Sequence, residues 1–340
     1  MTISSEQELD DVLSQPTEAD ARAMAALEGD LLILGVAGKM GPSLARRAVR
    51  ACAAAGVRKR VIGVARFSTP EVQKQLDQWG VETVAADLLE PGSLARLPDA
   101  PNLVYMAARK FGSTGNEGLT WAMNTYLPGM VAERYRGARI VAFSSGNVYP
   151  LTPVLHGGPT ESSPTGPVGE YAMSVLGRER IFDYYSRRDA TPVVLLRLNY
   201  AIDLRYGVLA DIGRKVFERR PVDLRMGHAN VIWQGDANSI CLRSFALCQS
   251  PPAVLNLTGP ETLAVRWAAR RFGEHFGIEP VFEGVEADTA LLNNAARCQQ
   301  RFGYPTVPVE QLVEWTAEWI RAGGASWNKP THFETRDGKF

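Results

Sequence analysis

The stretch Leu31-Leu32-Ile33-Leu34-Gly35-Val36-Ala37-Gly38-Lys39-Met40-Gly41 decides how this chain folds. A short apolar strand runs straight into three glycines spaced three apart, and a helical pattern follows them. Glycine has no side chain, so Gly35 permits a tight turn and Gly38 lets the backbone approach a ligand. Gly41 lets the helix pack closely on the strand, and the unpaired N–H groups at the helix start suit a phosphate. A plain strand-to-helix turn also accounts for three glycines. Their place at the first strand of a strand–helix–strand unit favours a dinucleotide pyrophosphate, with Gly35, Gly38, Lys39, Met40 and Gly41 as candidate contacts.

The alternation continues along the chain. Apolar, β-rich runs fall at residues 31–36, 61–65, 81–86, 102–107, 139–145, 192–198 and 253–258, separated by amphipathic stretches. Near-continuous apolarity marks strands covered on both faces, and strand–helix–strand steps imply right-handed crossovers and a parallel sheet. The class is therefore α/β: a doubly wound Rossmann sheet of about seven strands, with a smaller interleaved C-terminal substrate lobe. In the first crossover helix, Leu44, Ala48, Val49, Cys52 and Ala53 form one apolar stripe. Arg46, Arg47 and Arg50 are expected to face outward, and Gly56 stops the helix. Residues 1–29 read as an added arm with a helix at 18–27, and residues 30–203 as the dinucleotide-binding domain. The rhythm breaks after 204, giving a lobe over 204–325 interleaved with the strand near 253–258. The polar segment 326–340 lacks periodicity and is expected to be disordered or docked on a partner subunit.

With 37 basic and 37 acidic residues the formal net charge is zero, so no overall field attracts nucleic acid or an anionic membrane. No apolar run is long enough to span a bilayer, and the polar start does not read as a signal peptide. Cys52, Cys241, Cys248 and Cys298 lack metal-type spacing, as do the four histidines, so no metal site is expected. Cys241 and Cys248, seven apart, are expected on one face of a helix as buried thiols, and a reducing, cytoplasmic setting fits.

The second strand ends in Ala65-Arg66. An acidic residue here would accept hydrogen bonds from an adenosine ribose, whereas a guanidinium suits a 2′-phosphate. Arg66, with Lys39 as a second positive charge, favours NADP over NAD. The alternative is that both are solvated surface residues.

Further motifs follow in order. Asp87-Leu88 follows the third strand, Tyr105-Met106-Ala107-Ala108 ends the fourth, and Asn124 lies in Met123-Asn124-Thr125. Ser144-Ser145-Gly146-Asn147-Val148-Tyr149 comes next, with Tyr171 lying 26 residues beyond Ser145. Together with the glycine spacing, this order resembles the extended short-chain dehydrogenases, the NAD-dependent epimerase/dehydratase family, over roughly residues 30–322. The resemblance implies cofactor contacts at Asp87, Leu88, Ala107, Ala108, Asn124 and Tyr171. It also implies Ser145 and Tyr171 as the catalytic pair, the serine holding a substrate oxygen and the tyrosine carrying its proton. It further implies a homodimer formed through a four-helix bundle that includes the Tyr171 helix.

This chain departs from the family at the Tyr-x-x-x-Lys motif, which reads Tyr171-Ala172-Met173-Ser174-Val175. A positive charge about 5 Å from the phenol, at an effective dielectric near 20, is worth roughly 3 kcal/mol or about two pKa units. Its loss costs about a hundredfold in base-catalysed rate unless another cation replaces it. Lys110, just after Ala107-Ala108, is the first candidate replacement and a further cofactor contact, with Arg109 as second. Arg178 shares the helical face of Tyr171 but is expected to lie too far along the axis, at about 10 Å. Gly146-Asn147 stands where dehydratases of the family carry an Asp-Glu pair. The stretch Asn230-Val231-Ile232-Trp233-Gln234-Gly235-Asp236 lacks the family's diphosphate-gripping arginine, and Arg225 is displaced from it. A sugar, sugar acid or sugar nucleotide is the expected substrate class, with Ser145, Gly146, Asn147, Asn199, Tyr200, Trp233 and Gln234 as its wall. The readings weighed are an NAD(P)-dependent oxidoreductase or epimerase, a non-catalytic dinucleotide sensor or scaffold, and a lyase or isomerase using the same pocket.

Overall fold

A computed structural model describes residues 2–339. Seven strands build one parallel sheet: β1 (Leu31–Leu34), β2 (Val61–Ala65), β3 (Glu82–Ala85), β4 (Asn102–Tyr105), β5 (Arg139–Ser145), β6 (Val193–Leu198) and β7 (Ala253–Leu257). Their spatial order is β3-β2-β1-β4-β5-β6-β7. The order reverses between β1 and β4, and that switch point opens a crevice at the carboxyl ends of the strands. Every strand lies where the apolar runs placed it. The ends of several are trimmed by a residue or two because the chain turns as soon as the sheet's hydrogen bonds cease. The register pairs Leu34 with Tyr105, which brings Gly35 beside Met106 and Ala107.

The residues outside the central sheet are more ordered than their polarity suggests. The N-terminal arm contains α1 (Glu6–Leu13) and α2 (Glu18–Ala26), each capped by a hydroxyl residue, Ser5 and Thr17. Both pack against α3 (Gly41–Ala54). This corrects the outward reading of the α3 arginines. Arg47 is buried and forms a double hydrogen bond to Asp20 at 2.9 and 2.7 Å. Arg46 pairs with Asp11 at 2.6 Å, and Arg50 donates to the Asp11 carbonyl and the Ser14 hydroxyl. Ala53 is exposed, so the buried stripe is instead Leu44, Ala45, Ala48, Ala51 and Cys52. The arm supplies the carboxylates that the arginines need, a long-range match that helical periodicity does not reveal.

The later helices are α4 (Pro70–Gln78), α5 (Leu127–Arg134), α6 (Gly169–Asp189), α7 (Val208–Phe217), α8 (Gln234–Arg243), α9 (Val265–Phe276) and α10 (Val309–Arg321). A second core joins α7, α9 and α10 with Leu9 and Leu13 of α1. Small two-stranded pairings frame that side, among them Thr152–Pro153 with Thr289–Ala290. Helix α8 stops at Arg243, so Cys248 lies beyond it and is half-buried, unlike Cys241. Residues 326–339 form neither helix nor strand. They fold back on the same chain, with Phe333 buried in the second core. Among the described residues, no helix is long and apolar enough to cross a membrane.

Asp20 also accepts from the Thr17 amide at 2.8 Å and from Ser239 of α8 at 2.5 Å, so α2, α3 and α8 meet on one buried carboxylate. Removing one partner of a buried ion pair strands the other. Asp20→Ala should therefore lower unfolding stability by about 3–5 kcal/mol in urea titration. Glu18→Ala, which breaks only an exposed pair with Arg22, should leave the midpoint essentially unmoved.

Candidate active site

The turn from β1 to α3 has the geometry its glycines require. Gly35 takes φ +92°, and a Cβ there would lie 2.7 Å from the Ala107 amide nitrogen. At Gly41 a Cβ would fall 2.0 Å from the Val36 carbonyl oxygen, so helix and strand touch through bare backbone. At Gly38 an added Cβ would meet only the Gly35 carbonyl oxygen, at 3.3 Å, which leaves this backbone approachable from the crevice. Met40 is the N-cap of α3 and no side chain caps the helix, so its leading N–H groups remain for an anion. The donor set suits a dinucleotide pyrophosphate.

A groove of about 250 Å³ runs from this turn across the ends of β2 and β4. Gly35, Gly38, Arg66, Asp87, Leu88, Ala107 and Ala108 all line it. Phe67, Ser68, Met106 and Met123 line it too, although none is among the candidate contacts; Met106 and Met123 lie inside the motif segments and Phe67 and Ser68 follow Arg66. Phe67 takes φ +47° and is nearly buried, turning the chain sharply after β2. Lys39 does not line this groove. Its Nζ sits 3.2 Å from the centroid of the Tyr206 ring and 4.3 Å from that of Phe111. Arg66 thus lines the groove, whereas Lys39 lies away from it against Tyr206 and Phe111.

Asn124 is completely buried, and its amide is fully engaged. Its oxygen accepts from the Arg109 amide at 2.9 Å and from Arg178 at 3.0 Å; its nitrogen donates to the Arg109 carbonyl and the Ser174 hydroxyl. Its side chain therefore holds the 107–110 loop against α6 and has no capacity left for a direct contact with a bound molecule. A π-helical turn, Ala122–Tyr126, aims it there.

Ser145 ends β5, and Tyr171 lies in the first turn of α6. Both are nearly buried, and their side chains are within hydrogen-bonding reach of each other. The Ser145 hydroxyl also donates to Asn147 at 2.9 Å and accepts from the Asn147 amide. Burial is the largest influence on the Tyr171 phenol and raises its proton affinity; Arg178 and the Ser145 hydrogen bond oppose it. Arg178, too distant by helical spacing alone, therefore belongs to the electrostatics of this site. It is anchored on the Phe143 carbonyl at 2.7 Å and on Asn124.

Val175 is wholly buried against Val148, Tyr149 and Tyr171, so packing fills the place of the absent lysine. Lys110 does reach the site, with Nζ 5.7 Å from the Tyr171 ring centroid and 5.9 Å from that of Tyr200. Burial pulls this amine down to about 8. Lys39 falls to about 7, first through burial and then through the charges of Lys110 and Lys329.

Of the proposed substrate wall, Gly146, Asn147, Asn199 and Tyr200 gather near Ser145. Gly146 packs on Asn293 and Asn199, leaving no room for a Cβ. Asn199 is buried and donates to the Leu291 carbonyl. Tyr200 takes φ +42°, an unusual conformation for a ring-bearing residue. Trp233 and Gln234 do not belong to this wall. Trp233 packs edge-on against Trp315 in the second core at 5.6 Å, and Gln234 donates to Ser43 of α3 at 3.0 Å. A two-residue strand, Ile232–Trp233, paired with Ala201–Ile202, turns both inward. Among the described residues, no group of three or more His, Cys, Asp or Glu side chains could hold a metal ion.

The profile of the NAD dependent epimerase/dehydratase family matches residues 31–202, and the chain belongs to that family. No curated protein matches it. Solved structures match its fold. UDP-glucose 4-epimerase from Thermotoga maritima is 16% identical with TM-score 0.69. UDP-glucuronic acid 4-epimerase from Bacillus cereus, in complex with UDP-glucuronic acid and NAD, gives the same two values. UDP-glucose 4-epimerase from Thermus thermophilus, in complex with NAD, is 18% identical with TM-score 0.71. Each match covers 86% of this chain and 99% of the other.

The depressed amine of Lys39 sets a pH dependence. Between pH 7 and 9 the unfolded chain keeps this proton, whereas the folded chain sheds it above about 7. The unfolded state then binds more protons, so this residue's contribution to stability rises with pH. Denaturant titrations at pH 7 and pH 9 should show wild type gaining on Lys39→Met across the window, and a constant difference would count against this burial.

Proposed function

We propose that the chain is an NAD(P)-dependent oxidoreductase or epimerase acting on a hydroxyl-bearing, carbohydrate-like molecule. The observation that carries this reading is the contact between the Ser145 and Tyr171 side chains at the crevice that also holds the glycine turn. Gly35, Gly38 and the open end of α3 would hold the pyrophosphate, and Arg66, Asp87, Leu88, Ala107 and Ala108 the adenosine half. The bound nicotinamide supplies a hydride acceptor or donor. Ser145 holds the substrate oxygen by hydrogen bonding, and the Tyr171 hydroxyl takes or returns its proton. Arg178 and Ser145 oppose, without outweighing, the burial that raises this phenol's proton affinity. Lys110, an amine of pKa about 8 close to the Tyr171 ring, is placed to exchange the proton onward. Asn124 acts as a positioning residue for the loop that carries Lys110.

Arg66 at the end of β2 favours NADP, although the matched epimerases from Bacillus cereus and Thermus thermophilus were solved with NAD. We further propose a homodimer through the outer surfaces of α6 and residues 117–134, where Trp121, Tyr126, Met173 and Tyr184 are exposed. Val175, buried in place of the lysine, favours a second reading: a dinucleotide-binding sensor without turnover.

Tyr171→Phe should lower turnover by about a hundredfold or more while leaving dinucleotide affinity nearly unchanged. Steady-state kinetics on a panel of sugars, sugar acids and sugar nucleotides, beside calorimetry, checks this. Binding without turnover in the wild type would select the sensor. Arg66→Ala should weaken NADP more than NAD, and equal losses would remove the case for a 2′-phosphate.

A further inference from the structure

After α10, residues 326–339 cross the mouth of the crevice without forming a helix or strand. Trp327 stacks on Tyr206 with centroids 6.0 Å apart. The Thr331 amide and hydroxyl donate to the Asp211 carboxylate at 2.8 and 2.6 Å. The His332 ring lies 6.1 Å from that of Phe111, in the loop that carries Lys110. Arg336 then donates to the Thr289 carbonyl at 2.7 Å and the Thr289 hydroxyl at 2.6 Å, and its Nη1 lies 3.7 Å from the Met226 sulfur. Gly338 presses on the start of α6, where a Cβ at 338 would fall 2.2 Å from the Val168 carbonyl oxygen.

The consequence is volume. Between Thr335, Arg336 and Gly338 on one side and Asn147, Leu151, Met226 and Leu291 on the other, about 20 Å³ remains. That holds one water and no sugar ring. The adenosine groove at the other end of the crevice retains about 250 Å³. The crevice is thus open at one end and plugged at the end beside Asn147, the residue to which the Ser145 hydroxyl donates.

Beyond the buried Phe333 the plug is held by side chains and not by backbone pairing. Among the described residues its backbone N–H groups make few hydrogen bonds to the rest of the chain, Trp327 to the Arg205 carbonyl and Thr331 to Asp211, and the remaining anchors are side chains. Segments held this way open at far lower cost than the strands beneath them.

We propose that residues 334–339, hinged on the buried Phe333, form an intrasteric gate, which in its docked position occupies the substrate end of the crevice and must withdraw before a carbohydrate-sized molecule reaches Ser145 and Tyr171. The inference rests on the proposed function only for what is admitted; the occlusion itself is a property of the chain. A gate of this kind leaves the adenosine half accessible, so a nucleotide can bind while the reacting end is still closed.

The test places a thiol beneath the gate. Met226 is 2% exposed and lies under Arg336, so in Met226→Cys the introduced thiol should react slowly with a small maleimide, with wild type giving the background of the native cysteines. Two changes release the gate without removing Phe333 from the core: Gly338→Val, and a chain ended after Thr335. Each should speed labelling at least tenfold, and unchanged rates in both would overturn the proposal. ADP should bind intact and shortened chains alike. Faster labelling with no dinucleotide uptake by either chain would keep the gate and remove the redox reading. Unchanged labelling with uptake intact would remove the gate alone.

Discussion

The tightest constraint in the crevice is the contact between residue 41 and the carbonyl of residue 36, where a single added carbon would sit 2.0 Å from oxygen. Helix α3 can start where it does only because that carbon is absent. Everything the crevice offers follows from this placement. The start of α3 follows directly on the β1 side of the switch point, and the Gly35 turn fits against Ala107, just beyond β4. The arm then clamps the far side of α3 through Asp20 and Asp11, fixing the helix that the turn created.

Around Tyr171 the chain has exchanged one solution for another. The family's lysine would stand on the next turn of the same helix, close to the phenol. Here that position is sealed with Val175, and cationic groups approach from two other directions: Arg178 from two turns along α6, Lys110 from the loop after β4. Arg178 is held by hydrogen bonds to the Phe143 carbonyl and Asn124, whereas Lys110 is an amine that burial pulls down to about 8.

The sheet is legible in the sequence because its signal is local. Runs of apolar residues bounded by turns specify strands covered on both faces, and the glycine spacing specifies the turn. The groove beside the glycine turn is legible for the same reason, since Arg66, Asp87 and Ala107 each follow a strand whose position the pattern reveals. What escapes is long-range. Nothing near Arg47 in the sequence names Asp20 as its partner, and nothing near Trp233 shows that a two-residue pairing turns it toward Trp315. Asn124 is found by its place in a motif, yet its role differs from a contact, because hydrogen-bond saturation emerges only once the neighbours are placed. The segment after 325 reads as unstructured for want of periodicity. Its order comes from individual anchors such as Phe333 and Arg336, which no repeat announces.

Asn124 has one further implication. A single amide grips both the main chain of the 109 loop and the head of Arg178, so loop position and the field at the phenol are mechanically linked. Any molecule that nudges that loop on binding would tug the guanidinium with it.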